Sequence, residues 1–370
     1  MVSANPGTPQ TVYVTMRDIL GSFTTPGLYR STNGGINWSL IYTSAYATGY
    51  PSPRDIRVAV TPANPQRIYV YEGNSPTTSI RVAMSDNGGT SWTTRSSTGL
   101  DLGQFGYNTY IYADPSNADV LYVGGRDVYK STNGGSSWTN LTLSNESYFS
   151  ALAHPDQHAF AFSSAGSNTI YIGNDGGVYK SDNAGSSFQS LNGTLSLTQF
   201  TSIARHPTDP NITYGGTQDN GTQRRLAGSN QWQDFAGGDG GKVVVSPTNP
   251  SRVFTTVYFG RIRSWSNNGS SQQGSTSNST FGENVSDDLA RIAFFPPLVG
   301  NGVNSTLYFG TWKLYVNSTP ETNFAGGWSA PGGTTDLTRG GTDVLSAIGV
   351  SRTDGNQVIY TGSEQGQVMV

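Results

Sequence analysis

The residues best suited to chemistry in this chain are aspartates set in glycine-rich segments. Asp175 lies in Gly-Asn-Asp-Gly-Gly, Asp219 in Gly-Thr-Gln-Asp-Asn-Gly, and Asp239 in Gly-Gly-Asp-Gly-Gly. Carboxylates can accept hydrogen bonds from sugar hydroxyls, bind a cation, or act as a paired acid and base. Asp-Gly is also an ordinary hairpin turn, so a purely structural role for Asp175 and Asp239 stands beside the chemical one.

A second group of chemical residues is the run His154-Pro-Asp156-Gln-His158. Side chains alternate along an extended segment, so these three residues could point the same way and hold a metal ion. Hydrogen bonding to nearby backbone at the rim of a channel accounts for the same residues without an ion. We therefore predict neither a metal nor another cofactor.

Aromatic and charged residues in the connections complete the candidate site. Rings can stack on a sugar while carboxylates bond its hydroxyls, so acids and aromatics around a channel suit a glycan. Asp175 and Asp239 are assigned as catalytic only if the protein is an enzyme. The predicted ligand-binding residues are Asp219, His158, Asp156, Arg261, Tyr258, Trp312 and Tyr148.

The elements that must position these residues repeat along the chain. Eight segments show a strand, a turn rich in Pro, Asn or Asp, and a second strand with a central aromatic, as in Val58–Val70, Phe160–Ile172 and Ile292–Phe309. Alternating apolar residues bounded by turn residues predict antiparallel strands, which we name A and B. A third strand, C, follows most hairpins, and a fourth, D, begins at an aromatic residue. The repeat units lie near 1–42, 53–96, 105–142, 147–192, 199–236, 241–286, 290–330 and 342–370, and the last stops at strand C.

Between strands C and D, four units carry the pattern Ser-x-Asp/Asn-x-Gly-x-x-Trp/Phe. These box segments are Ser31–Trp38, Ser85–Trp92, Ser131–Trp138 and Ser181–Phe188. The Asp or Asn side chain can bond nearby backbone N–H groups, the Gly can take a positive φ, and the aromatic can pack between sheets. The predicted structural residues are Asn33, Asp86, Asn133 and Asp182, with Trp38, Trp92, Trp138 and Phe188 in the core.

The repeats and the box segments resemble those of the Asp-box (BNR) β-propeller superfamily over nearly the whole chain. The resemblance implies an all-β fold and a single domain, 1–370, of four-stranded antiparallel blades, with eight blades favoured and seven the alternative. That superfamily includes sialidases, xyloglucanase-type glycoside hydrolases and sortilin-type receptors, so the resemblance is specific for fold rather than for function. The arginine triad and the Phe/Tyr-Arg-Ile-Pro motif of sialidases are not visible in the sequence.

The Asp-Gly-Gly segments at Asp175 and Asp239 look like the local sequence around the acid and base aspartates of the xyloglucanase family. That family places two propellers across a shared cleft, whereas this chain predicts one propeller. The first repeat unit also lacks the expected Asp-Ile-Gly-Gly. A carboxylate pair that cleaves glycosidic bonds needs one of two characteristic separations.

Strand order assigns the connections to two faces. With strands A to D antiparallel, the A–B turns and the box segments share one face, and the B–C turns and D–A crossovers share the other. Asp175, Asp219 and Asp239 all lie in connections of the second face. We predict that they gather near the mouth of a central channel, flanked by His158 and Arg261.

Composition narrows the possible partners. Charged residues are 12% of the chain and the net charge is -3, so no basic field attracts nucleic acid or an anionic membrane. No apolar run is long enough to span a bilayer, and we predict no membrane insertion. The absence of cysteine rules out a disulfide scaffold and a thiolate metal site. Frequent Asn-x-Ser/Thr triplets permit secretion, and we expect an extracellular or cell-surface protein whose signal peptide has been trimmed from this chain.

Two main functional hypotheses follow, from different classes. The first is a non-catalytic propeller that binds a glycan or a surface protein through the face opposite the box segments. The alternative is a xyloglucanase-like glycoside hydrolase that uses Asp175 and Asp239. A scaffold that serves only assembly is a third hypothesis, and the sequence indicates no oligomeric state.

Overall fold

In a computed structural model of the protein, the chain forms two compact units, Met1–Leu197 and Thr198–Val370. The residues that the structure describes are 2–4, 10–16, 25–45, 55–74, 79–100, 107–143, 152–164, 168–195, 197–281, 291–351 and 358–370.

The first unit contains four antiparallel sheets of four strands each, and the strands of every sheet pair in chain order, A to D. Sheet 1 contains Val2–Ala4, Val12–Met16, Gly27–Ser31 and Ser39–Thr43. Sheet 2 contains Asp55–Thr61, Asn64–Asn74, Ser79–Ser85 and Thr93–Arg95. Sheet 3 contains Tyr110–Ala113, Leu121–Gly124, Val128–Ser131 and Thr139–Asn140. Sheet 4 contains Gln157–Phe162, Ile170–Asn174, Gly177–Ser181 and Gln189–Ser190.

The second unit contains three antiparallel sheets of four strands and a last sheet with three strands among its described residues. Sheet 5 contains Ser202–Arg205, Thr213–Gly216, Thr222–Arg225 and Gln233–Ala236. Sheet 6 contains Val243–Val245, Val253–Thr256, Ile262–Ser266 and Ser271–Ser275. Sheet 7 contains Leu298–Gly300, Leu307–Gly310, Leu314–Asn317 and Trp328–Ser329. Sheet 8 contains Leu345–Val350, Ile359–Ser363 and Val368–Met369, which are strands A, B and C.

Within each unit, strand A of one sheet contacts strand A of the next, as in consecutive propeller blades. Each unit therefore contributes four blades, and the all-β fold class and the count of eight blades are confirmed. The helices in the described ranges are three short 3-10 turns, Asn192–Thr194, Asn267–Gly269 and Asn278–Phe281. None of them is long and apolar enough to cross a membrane.

The core of each unit lies between its sheets. Tyr69, the central aromatic of strand B in sheet 2, is fully buried in a cluster with Ile111 and Leu121 of sheet 3. Equivalent clusters join sheets 1 and 2, 3 and 4, 5 and 6, and 6 and 7. Full burial of one large apolar side chain contributes about 1.5 to 3 kcal/mol. The junctions between sheets are thus a main source of stability.

Each box segment is held in its turn conformation by hydrogen bonds from its own serine and asparagine. In the third copy, the Ser131 hydroxyl donates to Asn133 Oδ1 over 2.9 Å and accepts the Gly135 N–H over 2.9 Å. Asn133 Oδ1 also accepts the Ser137 N–H over 2.9 Å. Gly134 and Gly135 have φ angles of 63° and 82°, which favour glycine. The same hydrogen bonds recur in the other three copies.

Two of the predicted box residues were wrong. In the second copy the residue that bonds the turn is Asn87, one position after Asp86. In the fourth copy it is Asn183, one position after Asp182. Asp86 instead forms an ion pair with Arg67, and Asp182 pairs with a lysine of strand C. The third box position lies within reach of the turn N–H groups, whereas the second position is directed outward toward these cations.

The aromatic residue that ends the box packs on the preceding sheet. Trp92, Trp138 and Phe188 pack against clusters that their own sheet shares with the sheet before it. Trp138 Nε1 donates to the Ser96 carbonyl of sheet 2 over 2.8 Å. Trp38 differs from its predicted core role, because its side chain is 40% exposed. It belongs to the first sheet of its unit, where no earlier sheet of that unit can cover it.

Backbone hydrogen bonds sort the connections of the first unit onto two faces. The Gly134 N–H donates to the Asp119 carbonyl in the A–B turn over 2.9 Å, and the other three box segments make the equivalent bond. At the opposite ends of the strands, the Asp156 N–H in a D–A crossover donates to the Arg126 carbonyl in a B–C turn over 2.9 Å. The box segments and A–B turns thus lie together, away from the B–C turns and crossovers.

Strand A of sheet 7 begins later than the sequence predicted. The predicted hairpin began at Ile292, but strand A is Leu298–Gly300. Phe294 therefore lies in the D–A crossover that leads into sheet 7. The reason is that Pro296 and Pro297 have no N–H group to donate to a sheet ladder.

Two box tryptophans provide a matched test of this packing. Trp138→Ala should lower the free energy of unfolding by about 3 kcal/mol, the low end for a large core aromatic, because the indole is partly buried and bonds Ser96. Trp38→Ala should cost less than about 1 kcal/mol, because that ring is already 40% exposed. Chemical denaturation measures both values. Equal losses in the two variants would contradict packing of the box aromatic on the preceding sheet.

Candidate functional site

In the first unit, candidate residues surround Asp156, in the crossover that enters sheet 4. Asp156 is 8% exposed, and its Oδ1 accepts the Asn108 Nδ2–H over 2.7 Å. Its N–H donates to the Arg126 carbonyl over 2.9 Å, and its own carbonyl accepts the Asp175 N–H over 3.3 Å. Asp156 therefore ties the crossover to the B–C turns of sheets 3 and 4.

Asp175 is the hydrogen-bond partner of His158. Its Oδ1 lies 2.7 Å from His158 Nε2. The His158 ring meets the Tyr107 ring edge to face, with centroids 4.8 Å apart and an interplanar angle of 88°. Tyr107 is 56% exposed, so solvent reaches this group of side chains. The pair can hold a ligand hydroxyl or exchange a proton with it.

One acid of this cluster, Asp156, has a perturbed pKa. Burial, and then the nearby Asp175 carboxylate, raise the pKa of Asp156 above its ordinary value. Three neighbouring groups oppose this rise, namely His154, His158 and Arg126. Asp156 therefore keeps its proton to a higher pH than an exposed aspartate. Acid–base enzymes use carboxyl groups with a raised pKa, although a buried structural carboxylate has the same property.

The extended arrangement considered for His154, Asp156 and His158 is not formed. Asp156 has a φ angle of 64°, which interrupts the alternation of side chains along the chain. His154 Nδ1 lies 3.0 Å from the Pro155 carbonyl, and His158 faces Asp175. The three side chains therefore do not line one side of a strand.

Glycines after Asp175 are required by packing. A Cβ atom on Gly176 would lie 2.4 Å from His154 Cβ. Gly177 has a φ angle of 111°, and a Cβ atom there would lie 2.3 Å from Asn192 Oδ1. Asn192 Nδ2 also donates to the Gly176 carbonyl over 2.8 Å. The Asp-Gly-Gly sequence of sheet 4 thus has a structural explanation.

In the second unit, Asp239 supports the turn that carries Asp219. Asp239 Oδ1 accepts the Asp219 N–H over 3.0 Å, and Asp219 has a φ angle of 61°. The glycines after Asp239 let two connections touch, because a Cβ atom on Gly240 would lie 2.1 Å from the Gly221 carbonyl oxygen. One oxygen of Asp239 is therefore committed to a backbone N–H group.

Tyr258, Phe294 and Arg261 form a surface that we name the aromatic platform. The rings of Tyr258 and Phe294 are nearly parallel, at 18°, with centroids 6.1 Å apart. The Arg261 guanidinium lies 5.0 Å from the Tyr258 centroid, and its Nη1 donates to the Tyr258 hydroxyl over 3.2 Å. Phe294 is 41% exposed and Arg261 is also exposed. Two rings and a cation are therefore presented together.

The aromatic platform adjoins the Asp239 turn. A Cβ atom on Gly241 would lie 3.1 Å from Phe295 Cδ1, and one on Gly238 would lie 3.2 Å from Val257 Cγ1. These contacts place the crossover that carries Asp239 against two other connections. One is the B–C turn with Tyr258 and Arg261, and the other is the crossover with Phe294. The turn that carries Asp239 therefore lies beside the connections that carry the platform residues.

Trp312, predicted to bind ligand, is close to cations of its own unit. The Arg291 guanidinium lies 4.8 Å from the indole centroid and the Lys313 ammonium lies 4.0 Å from it. Arg291 is held by Asp336 over 2.8 Å, and this contact lowers the pKa of Asp336 to about 2. These cation–π contacts give Trp312 a role within the fold, and its role in ligand binding stays a prediction.

Part of the predicted site stays a prediction. Tyr148 lies outside the described residues. Asp175 belongs to the first unit, whereas Asp219 and Asp239 belong to the second. The gathering of these three carboxylates at one channel mouth is therefore still an expectation from strand order.

Two residues of these surfaces were missed by sequence reasoning. Asn108 carries no local motif, and its partner Asp156 is 48 residues away along the chain. Phe294 could have been assigned to the crossover from the run Phe-Phe-Pro-Pro, because paired prolines exclude a central strand.

No protein-family profile matches the chain, and no curated protein matches it. Among solved structures, the chain is similar to the GH74 xyloglucanase from Xanthomonas campestris, with 14% identity and a TM-score of 0.40 over 98% of this chain and 57% of that one. The GH74 enzyme from Niastella koreensis shows 16% identity and a TM-score of 0.41, over 97% and 71%. YCF48 bound to a D1 peptide shows 12% identity and a TM-score of 0.34, over 84% and 91%. Similarity this distant carries no inference about activity.

Replacing Asp156 should change how stability depends on pH. The folded-state pKa of Asp156 lies above its ordinary value, so the protein takes up a proton on folding between these two values. The free energy of unfolding then falls as the pH rises through that interval. Asp156→Asn removes the titration, so its stability relative to the unmodified protein should rise as the pH increases above the ordinary pKa of an aspartate.

Asp182→Asn is a control variant whose stability should change with pH in the opposite direction. A hydrogen bond from Lys180 holds the pKa of Asp182 below its ordinary value, so this carboxylate contributes stability that appears as the pH rises. The relative stability of Asp182→Asn should therefore fall as the pH rises through the acid range. Denaturation at several pH values measures both trends. The same slope in the two variants would show that burial does not control Asp156.

Two glycines near Asp239 test its structural role. Gly240→Ala should lower the free energy of unfolding by about 3 kcal/mol, the upper end for overpacking, because the new Cβ meets a carbonyl oxygen. Gly237→Ala should change it by less than about 0.5 kcal/mol, because nothing lies within 4 Å of the new Cβ. Thermal or chemical denaturation gives both values. A tolerated Gly240→Ala would mean that the two connections do not touch.

Proposed function

We propose that this protein binds a glycan without cleaving it, on the face opposite the box segments. The observation that supports this most is the aromatic platform, where Tyr258 and Phe294 lie nearly parallel beside Arg261. Aromatic rings can stack on the apolar face of a sugar, while guanidinium and carboxylate groups bond its hydroxyls. An extracellular or cell-surface location is part of the proposal.

The acids beside the platform suit binding better than catalysis. Asp239 Oδ1 already accepts the Asp219 N–H, and the glycines after Asp239 pack backbone against backbone. A catalytic acid or base must exchange a proton with its substrate, and an oxygen bound to a fixed N–H is less available for that exchange. The remaining carboxylate oxygens can still accept hydroxyl groups.

A separate observation favours the alternative, a xyloglucanase-like hydrolase. Burial and the nearby Asp175 carboxylate raise the pKa of Asp156, so this acid keeps its proton to a higher pH than an exposed aspartate. Glycosidases need a carboxylate pair at about 5 to 5.5 Å or about 6.5 to 9.5 Å. The sequence suggests Asp175 and Asp239 as the catalytic residues of this alternative, whereas the raised pKa points to Asp156 beside Asp175.

Calorimetric titration with xyloglucan and a panel of soluble β-glucans tests the proposal. Phe294→Ala and Tyr258→Ala should each weaken binding by about tenfold, as expected when a ring contact of about 1.4 kcal/mol is lost. Trp38→Ala removes an exposed ring from the box face and should bind like the unmodified protein. Saturable binding that is unaffected by both platform substitutions would contradict this site.

Turnover is measured in the same samples as release of new reducing ends. The proposal expects no release. Products that disappear with Asp175→Asn and with Asp239→Asn would replace the proposal with the hydrolase. Binding to a surface protein but to no glycan would replace it with a protein-binding module.

A further inference from the structure

Three oxygen-bearing side chains of the first unit meet at the ends of the strands opposite the box segments. Asp156 lies in the crossover into sheet 4, and Asp175 lies in the B–C turn of the same sheet. A carboxylate oxygen of Asp156 lies within 4.8 Å of one of Asp175. Asn108, in the crossover into sheet 3, donates its Nδ2–H to Asp156 Oδ1 over 2.7 Å. Three connections of two neighbouring sheets therefore come together at these side chains.

The carboxamide oxygen of Asn108 is buried and has no partner among the described residues. Asn108 is 0% exposed, and its Oδ1 accepts no hydrogen bond there. Oδ1 and Nδ2 belong to one planar group, and Nδ2 contacts Asp156, so Oδ1 also lies beside this carboxylate. Buried polar atoms normally have a partner, and an atom that lacks one needs an explanation. An acceptor in this position suits a bound cation.

The carboxylates of this group are crowded. Burial, and then the nearby Asp175 carboxylate, raise the pKa of Asp156. Arg126, His154 and His158 oppose this rise, but in the part of the chain that the structure describes none of them forms an ion pair with Asp156. A cation bound between the two carboxylates would offset their mutual repulsion.

Calcium fits the chemistry and the spacing of these atoms. All three donors are oxygens, two from carboxylates and one from an amide, and hard cations prefer such ligands. Calcium lies about 2.3 to 2.6 Å from each ligand, so one ion can join oxygens that are about 5 Å apart. The separation of the Asp156 and Asp175 oxygens is within this reach. Magnesium demands a shorter and stricter geometry, and zinc favours ring nitrogens such as those of His158.

Solvent can reach the group and complete the coordination of an ion. Tyr107 is 56% exposed, and its ring contacts the ring of His158, which in turn bonds Asp175. Calcium takes about six to eight oxygen ligands. Water would therefore supply the ligands beyond the three side-chain oxygens.

We propose that Asn108 Oδ1 and the carboxylates of Asp156 and Asp175 bind a calcium ion. The ion would join the crossovers into sheets 3 and 4 to the B–C turn of sheet 4, and so stabilise this face of the first unit. The site differs from the one considered for His154, Asp156 and His158, because both histidines are left out. It replaces the expectation of no metal, and it depends neither on the aromatic platform nor on glycan binding.

Calorimetric titration of the EDTA-treated whole protein with calcium chloride tests the proposal. We expect saturable binding with a dissociation constant of about 10⁻⁴ to 10⁻³ M, the range of extracellular calcium modules. Asp156→Asn and Asp175→Asn should each weaken binding by at least about tenfold, because each removes a charge from the ligands. Asp182→Asn changes an exposed carboxylate of a box segment and should bind calcium like the unmodified protein. Circular dichroism checks that the variants are folded.

Asn108→Asp separates a ligand from a residue that serves only the fold. It adds a third carboxylate, so calcium should bind about tenfold more tightly, since calcium affinity follows the charge of the ligands. Without calcium the variant should melt at a lower temperature than the unmodified protein, because a third carboxylate adds repulsion and the bond from Nδ2 is lost. Thermal melts with and without calcium should show a larger rise in Tm for the variant. An asparagine with a structural role alone would give the lower Tm without the gain in affinity.

Four results would overturn the proposal. The first is no uptake of calcium up to about 10 mM, which is tenfold above the weakest affinity expected. The second is binding that both aspartate substitutions leave unchanged, because the ion would then lie elsewhere. The third is weaker binding by Asn108→Asp, which would exclude the carboxamide oxygen as a ligand. The fourth is tighter binding of zinc than of calcium, which would assign the ion to His158 instead of the oxygens.

Discussion

The junctions between the sheets of the first unit depend on the hydrogen bonds that a serine and an asparagine make inside each box segment. The Ser131 hydroxyl and the Asn133 carboxamide hold the turn, and the Gly134 N–H reaches the A–B turn of the same sheet. This places Trp138 against the preceding sheet, where it bonds the Ser96 carbonyl. Burial of apolar area supplies the stability, and the box sets the direction of the ring.

In the first unit the box segments and A–B turns bond one another, so its sheets can differ in the B–C turns and crossovers. Many polar residues in such connections serve the fold first. Asp156 joins a crossover to two B–C turns in the first unit, and Asp239 supports the Asp219 turn in the second. The aromatic platform differs from these acids, because its Phe294 ring is 41% exposed and lies in a surface that includes the charged Arg261. This contrast directs the functional proposal to the rings rather than to the acids.

Much of the fold could be predicted because it is local. Hairpins with a central aromatic recur along the chain, and the strand order then assigns the connections to two faces. The box pattern itself could have separated Asn87 from Asp86, because only Asn87 stands at its third position, two residues after Ser85. The positive φ of Asp156 and the bond from Asp239 to Asp219 arise from contacts between separate segments. No periodicity in the sequence encodes such contacts.

The central claim is that the ligand meets the rings opposite the box segments. A crystal structure with a bound xyloglucan oligosaccharide tests it most directly. The account predicts sugar density against Tyr258 and Phe294, with hydroxyl groups near Arg261 or Asp219. Sugar density confined to the box face, or found only around Asp156 and Asp175, would contradict it.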